Sequence, residues 1–272
     1  MIMDIVAPML FAIMVWWLGT GVILYLDGRP RRTYRRSMAI ATALACVAVI
    51  GITVVAEDRS VMGAYISFTC GLMIWAWLEM GFLMGFVTGT RHTPCTEPNH
   101  GWKRTKQAIE TIIHYELAII AAGLLILVLS WGAANQTGLW TFFVLFAMRL
   151  SAKLNVFLGV RNLSEEFLPD HLKYLTSYFT RRNMNLFFPV SMGASVVVLG
   201  FLIEGMMASG VHAYETTAHA FIATLIGLAI LEHVFMVMPL PLTPLWGWSL
   251  RGRDVTPATV PGIKTVEQTT NR

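Results

Sequence analysis

Charged residues are scarce in this sequence, and their scarcity excludes an ordinary soluble domain. Asp, Glu, Lys and Arg make up 13% of the 272 residues, whereas they make up about a quarter of a typical soluble domain. Hydrophobic residues account for 56%, and they gather into runs of about twenty, the length that crosses roughly 30 Å of hydrocarbon as a helix. The alternating segments of about ten residues that form membrane β-barrels are missing. The composition therefore predicts an all-α integral membrane protein.

Cysteine is also rare, and recognisable catalytic motifs are missing. Cys46, Cys70 and Cys95 have no spacing typical of a disulfide framework or a zinc site. His92 and His100 flank Cys95 with residue types that suit a metal, but their spacing matches no closed zinc pattern. The sequence contains no glycine-rich phosphate loop, nucleophile elbow or zinc-protease signature. Nothing in it requires an enzyme.

Seven apolar segments are long enough to cross a membrane. We predict spans at about 5–26, 38–56, 61–88, 108–130, 138–158, 185–208 and 216–240. A short helix is predicted at about 163–180, where apolar residues at helical spacing accompany charged ones, as in helices that lie on a membrane surface. Residues 1–250 would thus form one polytopic domain, and the polar residues 251–272 a flexible tail.

The distribution of Lys and Arg predicts the orientation of the chain. Outside the spans, basic residues lie almost entirely after spans one, three, five and seven, beginning with the run from Arg29 to Arg36. The opposite connections offer only Arg59. Because cytoplasmic loops carry the excess of Lys and Arg, we predict a periplasmic amino terminus and a cytoplasmic carboxyl terminus.

Ionisable residues lie inside the predicted spans, where they are costly and often functional. One group falls roughly 8–14 Å below the predicted cytoplasmic boundary, at 1.5 Å per helical residue. This group, the polar layer, consists of Glu79, His114, Glu116, Arg149, Lys153, Glu232 and His233. Glu204 stands apart, near the other face.

Three interpretations of the polar layer stay open. The first is a set of ion pairs, because an isolated charge in hydrocarbon is too costly. The second is a non-haem iron site, since Glu and His are its ligands in helical bundles. The usual Glu-x-x-His pairs are missing, and His114 and Glu116 point about 200° apart on their helix. The third makes His114 or His233 an axial ligand to the magnesium of a bacteriochlorophyll or to a haem iron.

Span three carries Gly81, Gly85 and Gly89 at a spacing of four. This spacing predicts a smooth strip on one helix face, where another helix of the chain or of a partner can approach closely.

Several motifs together resemble one known family. The most specific stretch is RLSAKLNVFLGVRN at 149–162, followed by EFLPDHLKYLTSYF at 166–179. The tripeptides WLE at 77–79, HYE at 114–116 and LEH at 231–233, the last followed by Pro239, accompany it. Over roughly residues 5–250 the chain resembles the PuhE family, the photosynthetic complex assembly proteins of purple and related phototrophic bacteria.

The resemblance implies a role in phototrophic membranes. Members of the family are encoded near the gene of the reaction-centre H subunit, and they are implicated in producing reaction-centre and light-harvesting complexes and in supplying bacteriochlorophyll. The implied location is the bacterial inner membrane, either cytoplasmic or intracytoplasmic. The implied partners are reaction-centre or light-harvesting subunits or proteins of bacteriochlorophyll synthesis, with no nucleic acid. No catalytic residues are carried over from the family.

We therefore expect an assembly factor that handles pigment or pigment-binding subunits, with bacteriochlorophyll or a precursor as the cofactor and the segment 163–180 as a platform for a partner. Two alternatives stay open. The first is a membrane oxidoreductase of bacteriochlorophyll metabolism that uses the Glu and His residues of the polar layer at iron. The second is a transporter with the layer as a proton relay, although no discontinuous-helix signature supports it.

Overall fold

A computed structural model describes residues 2–95, 101–208, 210–238 and 247–250. Within these ranges the chain is helical, with one isolated β-bridge between Val160 and Arg181. Seven helices are long and apolar enough to cross a membrane. They are α1 (Ile2–Asp27), α2 (Tyr34–Val54), α3 (Val61–Leu83), α4 (Trp102–Leu129), α5 (Thr137–Leu158), α6 (Phe187–Met207) and α7 (Ala213–Val237), and a short α8 (Gly247–Leu250) follows.

These helices confirm the predicted class, a multi-pass membrane protein built from seven spanning helices. The sides of the membrane on which the termini lie stay a prediction. The predicted tail at 251–272 lies outside the described residues, as do His100 and Pro239.

Two helices occupy the centre of the bundle. In α3 and α7, 50% of the spanning window is buried inside the protein, whereas in the other helices the buried share is 6–22%. The two central helices meet at Phe68 and Phe221, whose rings stack at a centroid distance of 4.2 Å. Phe11 of α1 packs edge-on against both rings. The spans are therefore arranged around an aromatic core that α3 and α7 share.

Helices α3 and α5 touch backbone to backbone at two glycines. A Cβ atom on Gly71 would lie 2.5 Å from the carbonyl oxygen of Gly138, and a Cβ on Gly138 would lie 2.6 Å from that of Ser67. The Gly138 N–H donates a hydrogen bond to Ser67 Oγ over 2.8 Å. Small residues permit this approach in membrane bundles, and it fixes α5 against α3.

The predicted glycine strip on span three is wrong, because α3 ends at Leu83 rather than at residue 88. Gly81 lies in the helix, whereas Gly85 has a φ of 78°. The N–H groups of Gly85 and Phe86 bond to the carbonyls of Phe82 and Gly81 over 2.9 Å, the Schellman pattern that terminates helices. Gly89 lies beyond that turn against the backbone of α4.

The predicted surface helix at 163–180 is also different in the structure. Two 3₁₀ helices, Glu165–Phe167 and Asp170–Tyr178, replace an α-helix, because Pro169 lacks an N–H and disfavours helical geometry before it. Leu172, Leu175 and Tyr178 are buried, and their spacing of three matches the 3₁₀ repeat. The segment packs onto the end of the bundle, and we call residues 160–182 the cap.

Hydrogen bonds tie the cap to three helices. The Arg104 guanidinium at the start of α4 donates to Tyr178 O over 2.6 Å and to Thr180 Oγ1 over 2.6 Å. The amide of Asn162 donates to Phe235 O at the end of α7 over 2.7 Å. Thr180 also donates to Phe157 O of α5 over 2.8 Å. The two longest motifs of the resemblance therefore form the second half of α5 and the cap that follows it.

Candidate functional site

Glu79 on α3 is held by donors from two other helices. Arg149 Nη2 on α5 lies 3.0 Å from Glu79 Oε2, and the Tyr115 hydroxyl on α4 donates to Oε1 over 2.6 Å. The carboxylate is partly buried and has a partner on each oxygen, which offsets the cost of removing its charge from water.

A second ion pair lies beside the first. Lys153 Nζ, one turn after Arg149 on α5, is 2.5 Å from Glu116 Oε1 on α4. The same ammonium lies 4.5 Å from the centroid of the Tyr115 ring, within the range of a cation–π contact. Two pairs thus bring four of the predicted residues together across α3, α4 and α5.

The predicted layer does not include Tyr115, although this residue connects both pairs. Its side chain is 1% exposed, and a buried tyrosine hydroxyl normally finds a hydrogen-bond partner. The signal in the sequence is its position between His114 and Glu116 inside an apolar span, but its direction depends on how α4 is rotated.

Glu232 on α7 lies at the edge of this group. Its carboxylate accepts a hydrogen bond from the Trp16 side chain on α1 and interacts electrostatically with Arg149. Glu232 itself is exposed on the surface of the bundle. The third carboxylate is therefore not part of a direct ion pair within the described residues.

His233 is buried and fully hydrogen-bonded, at 1% exposure. Its Nδ1 lies 2.8 Å from Ala229 O, so Nδ1 carries a proton and donates. Its Nε2 lies 2.9 Å from Ser151 Oγ on α5 and accepts from that hydroxyl when the ring is neutral. Because both ring nitrogens are engaged, His233 does not fit the role of an axial ligand to a pigment.

A chain of amides continues from Ser151 towards the cap. Asn155 is fully buried and donates to Ser151 O over 3.0 Å and to Ser191 Oγ over 3.3 Å. Asn185 donates to Asn155 Oδ1 over 3.0 Å, and its own Oδ1 accepts the N–H of Phe187 at the start of α6. These residues, which the predicted layer lacks, lock α5, α6 and α7 together.

His114 points away from all of these contacts. The residue is exposed, and none of the described residues forms a hydrogen bond or ion pair with it. Leu117, one turn after it on α4, is 54% exposed, and Leu124, about 15 Å further along the helix than His114, is 55% exposed. In a bilayer this face of α4 contacts lipid, so the imidazole of His114, which has no partner among the described residues, faces an apolar environment.

Metal ligands do not gather in the parts of the chain that the structure describes. No three His, Cys, Asp or Glu side chains come together there as a metal site needs. Arg149 and Lys153 hold Glu79 and Glu116, and the two histidines of the layer lie on different helices with different surroundings. In the loop, His92 bonds to Thr88 Oγ1 over 2.8 Å.

The cap carries a histidine whose surroundings resist protonation. The His171 ring lies 3.0 Å from where a Cβ on Gly85 would be, and its Nε2 is buried with no hydrogen-bond partner among the described residues. Burial lowers the pKa of His171, and the nearby positive charge of Arg31 lowers it further. A hydrogen bond and the charge of Lys173 lower the pKa of the neighbouring Asp170 carboxyl.

Comparisons with known proteins identify the family. Residues 2–256 match the family described as protein of unknown function DUF3623. The chain is 37% identical over 248 residues to the uncharacterised 30.4 kDa protein in the puhA 5′ region of Rhodobacter capsulatus, and the alignment covers 89% of each chain. No solved structure matches the chain. The chain therefore belongs to the DUF3623 family, which agrees with the puh-region resemblance of its motifs.

Proposed function

We propose that this protein is an assembly factor for a bacterial photosynthetic complex and that it transiently holds bacteriochlorophyll, or a precursor, in the inner membrane. The description of its relative places that protein in the puhA 5′ region of a phototrophic bacterium. The motif resemblance implies the same context, next to the gene of the reaction-centre H subunit. A pigment or a pigment-binding subunit would then be the client.

The exposed imidazole of His114 is the observation that carries the pigment-handling part of the proposal. A neutral imidazole is a common metal ligand, and His114 has no polar partner among the described residues to compete for its nitrogens. His114 would hold the pigment by donating a lone pair of its imidazole nitrogen to the magnesium ion of the pigment. Leu117, one turn after it, and Leu124, about 15 Å along the same helix, are exposed and offer apolar surface for the rest of the pigment.

The two ion pairs and Tyr115 would serve the His114 site indirectly, by fixing the rotation of α4. Tyr115 and Glu116 are tied to Glu79 and Lys153 inside the bundle. Because consecutive helical residues are about 100° apart, holding these two side chains inward directs His114 outward. Tyr115 and Glu116 are therefore positioning residues for His114.

An absorption spectrum of the protein, gently solubilised from a phototrophic host, tests pigment binding. We expect a bacteriochlorophyll-like band that is lost in His114→Leu. The matched control is Val47→Ala on α2, which is 62% exposed and lies outside the proposed site, and which should keep the band. A colourless wild-type protein, or a band of equal strength in His114→Leu, would remove His114 as the ligand.

A gene deletion tests the assembly role separately. We expect a deletion strain to contain less reaction-centre and light-harvesting complex, with recovery on supplying the wild-type gene. Unchanged complex levels would contradict the assembly role whatever the spectrum shows. Metal analysis of the same preparation tests the oxidoreductase alternative, which requires stoichiometric iron that is lost in Glu232→Ala.

A further inference from the structure

Helix α6 lies at the edge of the bundle and packs mainly through one face. Only 6% of its spanning window is buried. Leu199, Leu202 and Met206 pack against Ala220 and Ala223 of α7. These contacts recur every three or four residues, so they occupy a single stripe of the helix.

The opposite face of α6 is not covered by any of the described residues, and it has a regular repeat. Its residues are spaced alternately by three and four, the a and d pattern of helices that pack side by side. We call this face the α6 seam: Val190, Gly193, Val197, Gly200, Glu204 and Met207, all of them exposed. At 100° per residue, the seam lies roughly half a turn from the stripe that packs on α7.

The seam contains two places where another helix can come close. A Cβ atom on Gly193 or on Gly200 would meet nothing within 4 Å. Small residues at helix interfaces permit close backbone approach in membrane helix pairs, and these two glycines, seven residues apart, lie on one face of α6. The seam therefore has two shallow depressions that can accommodate side chains of a neighbouring helix.

Glu204 determines what kind of helix fits. It lies three residues before the end of α6, about 4.5 Å inside it, and none of the described residues forms a hydrogen bond or ion pair with it. A carboxylate on a lipid-facing surface is costly without a partner. A Lys or Arg at the same level of a neighbouring helix would supply the opposite charge.

A second copy of this chain does not meet that requirement. Two copies in one membrane share their orientation, so a two-fold contact through the seam would bring Glu204 against Glu204. Near this end of the described bundle, the available cation is Arg59, which forms an ion pair with Glu215 of its own chain. His212 is the N-cap residue of α7, and its side chain takes part in a capping box with Glu215.

We infer that the α6 seam docks one transmembrane helix of a different protein, with a Lys or Arg placed opposite Glu204. The helix would run along α6, fit against Gly193 and Gly200, and pair its cation with the carboxylate. The seam and His114 lie on different helices, so this docking is independent of pigment binding.

Photo-cross-linking in the native membrane tests the docking. A benzoylphenylalanine replaces Val197 in the full-length chain, and the control position is Val22 on α1, which is 48% exposed. We expect a cross-link from Val197, mapped by mass spectrometry to a transmembrane segment of another protein that carries a Lys or Arg. The yield should be the same in a host that makes no bacteriochlorophyll.

Two sets of variants decide whether the seam itself is recognised. Gly193→Ile with Gly200→Ile fills the open spaces, and Glu204→Gln removes the charge. Each should lower the yield by about fivefold to thirtyfold, the range expected for polar and packing contacts between membrane helices. Gly19→Ile on α1 is the matched control, because a Cβ there also meets nothing within 4 Å.

A charge exchange completes the test. Glu204→Lys should abolish the cross-link, and replacing the partner's Lys or Arg by Glu should restore it. A product that contains only a second copy of this chain would overturn the inference. So would equal yields from Val197 and Val22, or a yield that Glu204→Gln leaves unchanged.

Discussion

Arg149 on α5 lies 3.0 Å from Glu79 on α3. The same carboxylate accepts a hydrogen bond from the hydroxyl of Tyr115 on α4, so one partly buried anion connects three helices. This arrangement fixes the rotation of α4 and leaves His114, the preceding residue, on its outer face. The charged residues of the layer and the exposed histidine are thus parts of one arrangement with different tasks.

Breaking this pair should destabilise the bundle. In Glu79→Gln, Arg149 loses its counter-charge, and we expect a loss of about 2–3 kcal/mol in the free energy of unfolding. This is below the ~3–5 kcal/mol of a fully buried pair, because the Arg149 side chain is 40% exposed. Unfolding by SDS in mixed micelles measures the change.

Two controls accompany this measurement. Glu204→Gln removes an exposed carboxylate that has no partner among the described residues, and it should change the free energy of unfolding by less than about 0.5 kcal/mol. The double variant Glu79→Leu, Arg149→Leu should recover part of the lost stability, since no unpaired charge remains. A fully stable Glu79→Gln would contradict a structural role of the pair.

The two histidines of the layer should behave oppositely on substitution. His233→Ala removes a buried ring and its bonds to Ser151 and Ala229, so we expect a loss of about 2–4 kcal/mol. The remaining folded protein should keep its pigment band. His114→Leu should lose the band and keep its stability, and the ratio of pigment to folded protein distinguishes the two variants.

Gly89 and Gly81 should differ sharply in their tolerance of alanine. A Cβ on Gly89 would lie 2.1 Å from Glu110 O, which is backbone of α4, so we expect Gly89→Ala to cost about 1–3 kcal/mol or more. A Cβ on Gly81 would lie 3.4 Å from the flexible end of Met38, so Gly81→Ala should be nearly neutral. If both variants lost the same free energy of unfolding, the two glycines would have equivalent surroundings, as they would on one continuous helix face.

The cap should open more readily in acid. Because burial lowers the pKa of His171 below its usual value of about 6.5, the opened segment binds a proton more readily than the closed one. Closure is therefore most stable above about pH 6.5 and weakens as the pH falls through that value towards the lower pKa of the folded state. Amide hydrogen exchange of residues 170–178 at about pH 7.5 and about pH 5 measures this.

The matched variant is His171→Gln, which has no proton to gain in this range. Its exchange should lose the part of the pH dependence that exceeds the chemical rate. If His171→Gln keeps the full dependence, another group controls the opening.

The orientation in the membrane is testable with reporter fusions. Because the basic residues cluster in alternate connections, the positive-inside rule predicts that alkaline phosphatase fused after Asn135 is active in the periplasm. The same reporter fused after Arg182 should be inactive. The reverse pattern would invert the orientation.

The existence of the spans could be predicted from the sequence with little else, but their ends could not. The predicted third span runs to residue 88, whereas the helix stops at Leu83. Residues 84–88 are apolar enough to continue it, but the chain turns at Gly85, which lies against the His171 ring, and Gly89 then lies against α4. Pro169 interrupts the predicted helix at 163–180, and the spacing of three between the buried Leu172, Leu175 and Tyr178 fits the 3₁₀ repeat that the structure shows.

The sequence predicted part of the membership of the polar layer, but neither its pairing nor the place of Tyr115 in it. The depth of each residue along its own helix follows from counting, which brought Glu79, Glu116, Arg149 and Lys153 to one level. The position of a residue along its helix does not tell how the helix is rotated about its axis. The division between the locked His233 and the outward His114 therefore required the packed bundle.

By itself the sequence determined that this is a membrane protein with seven spans, because about twenty consecutive apolar residues are a requirement of the bilayer and not of the fold. It also determined the family, through motifs that span most of the chain. Only the tertiary structure decided which charges pair, where α3 ends and which face of α6 stays open. These features depend on contacts between residues far apart in the chain, such as Glu79 and Arg149, and no local pattern specifies such contacts.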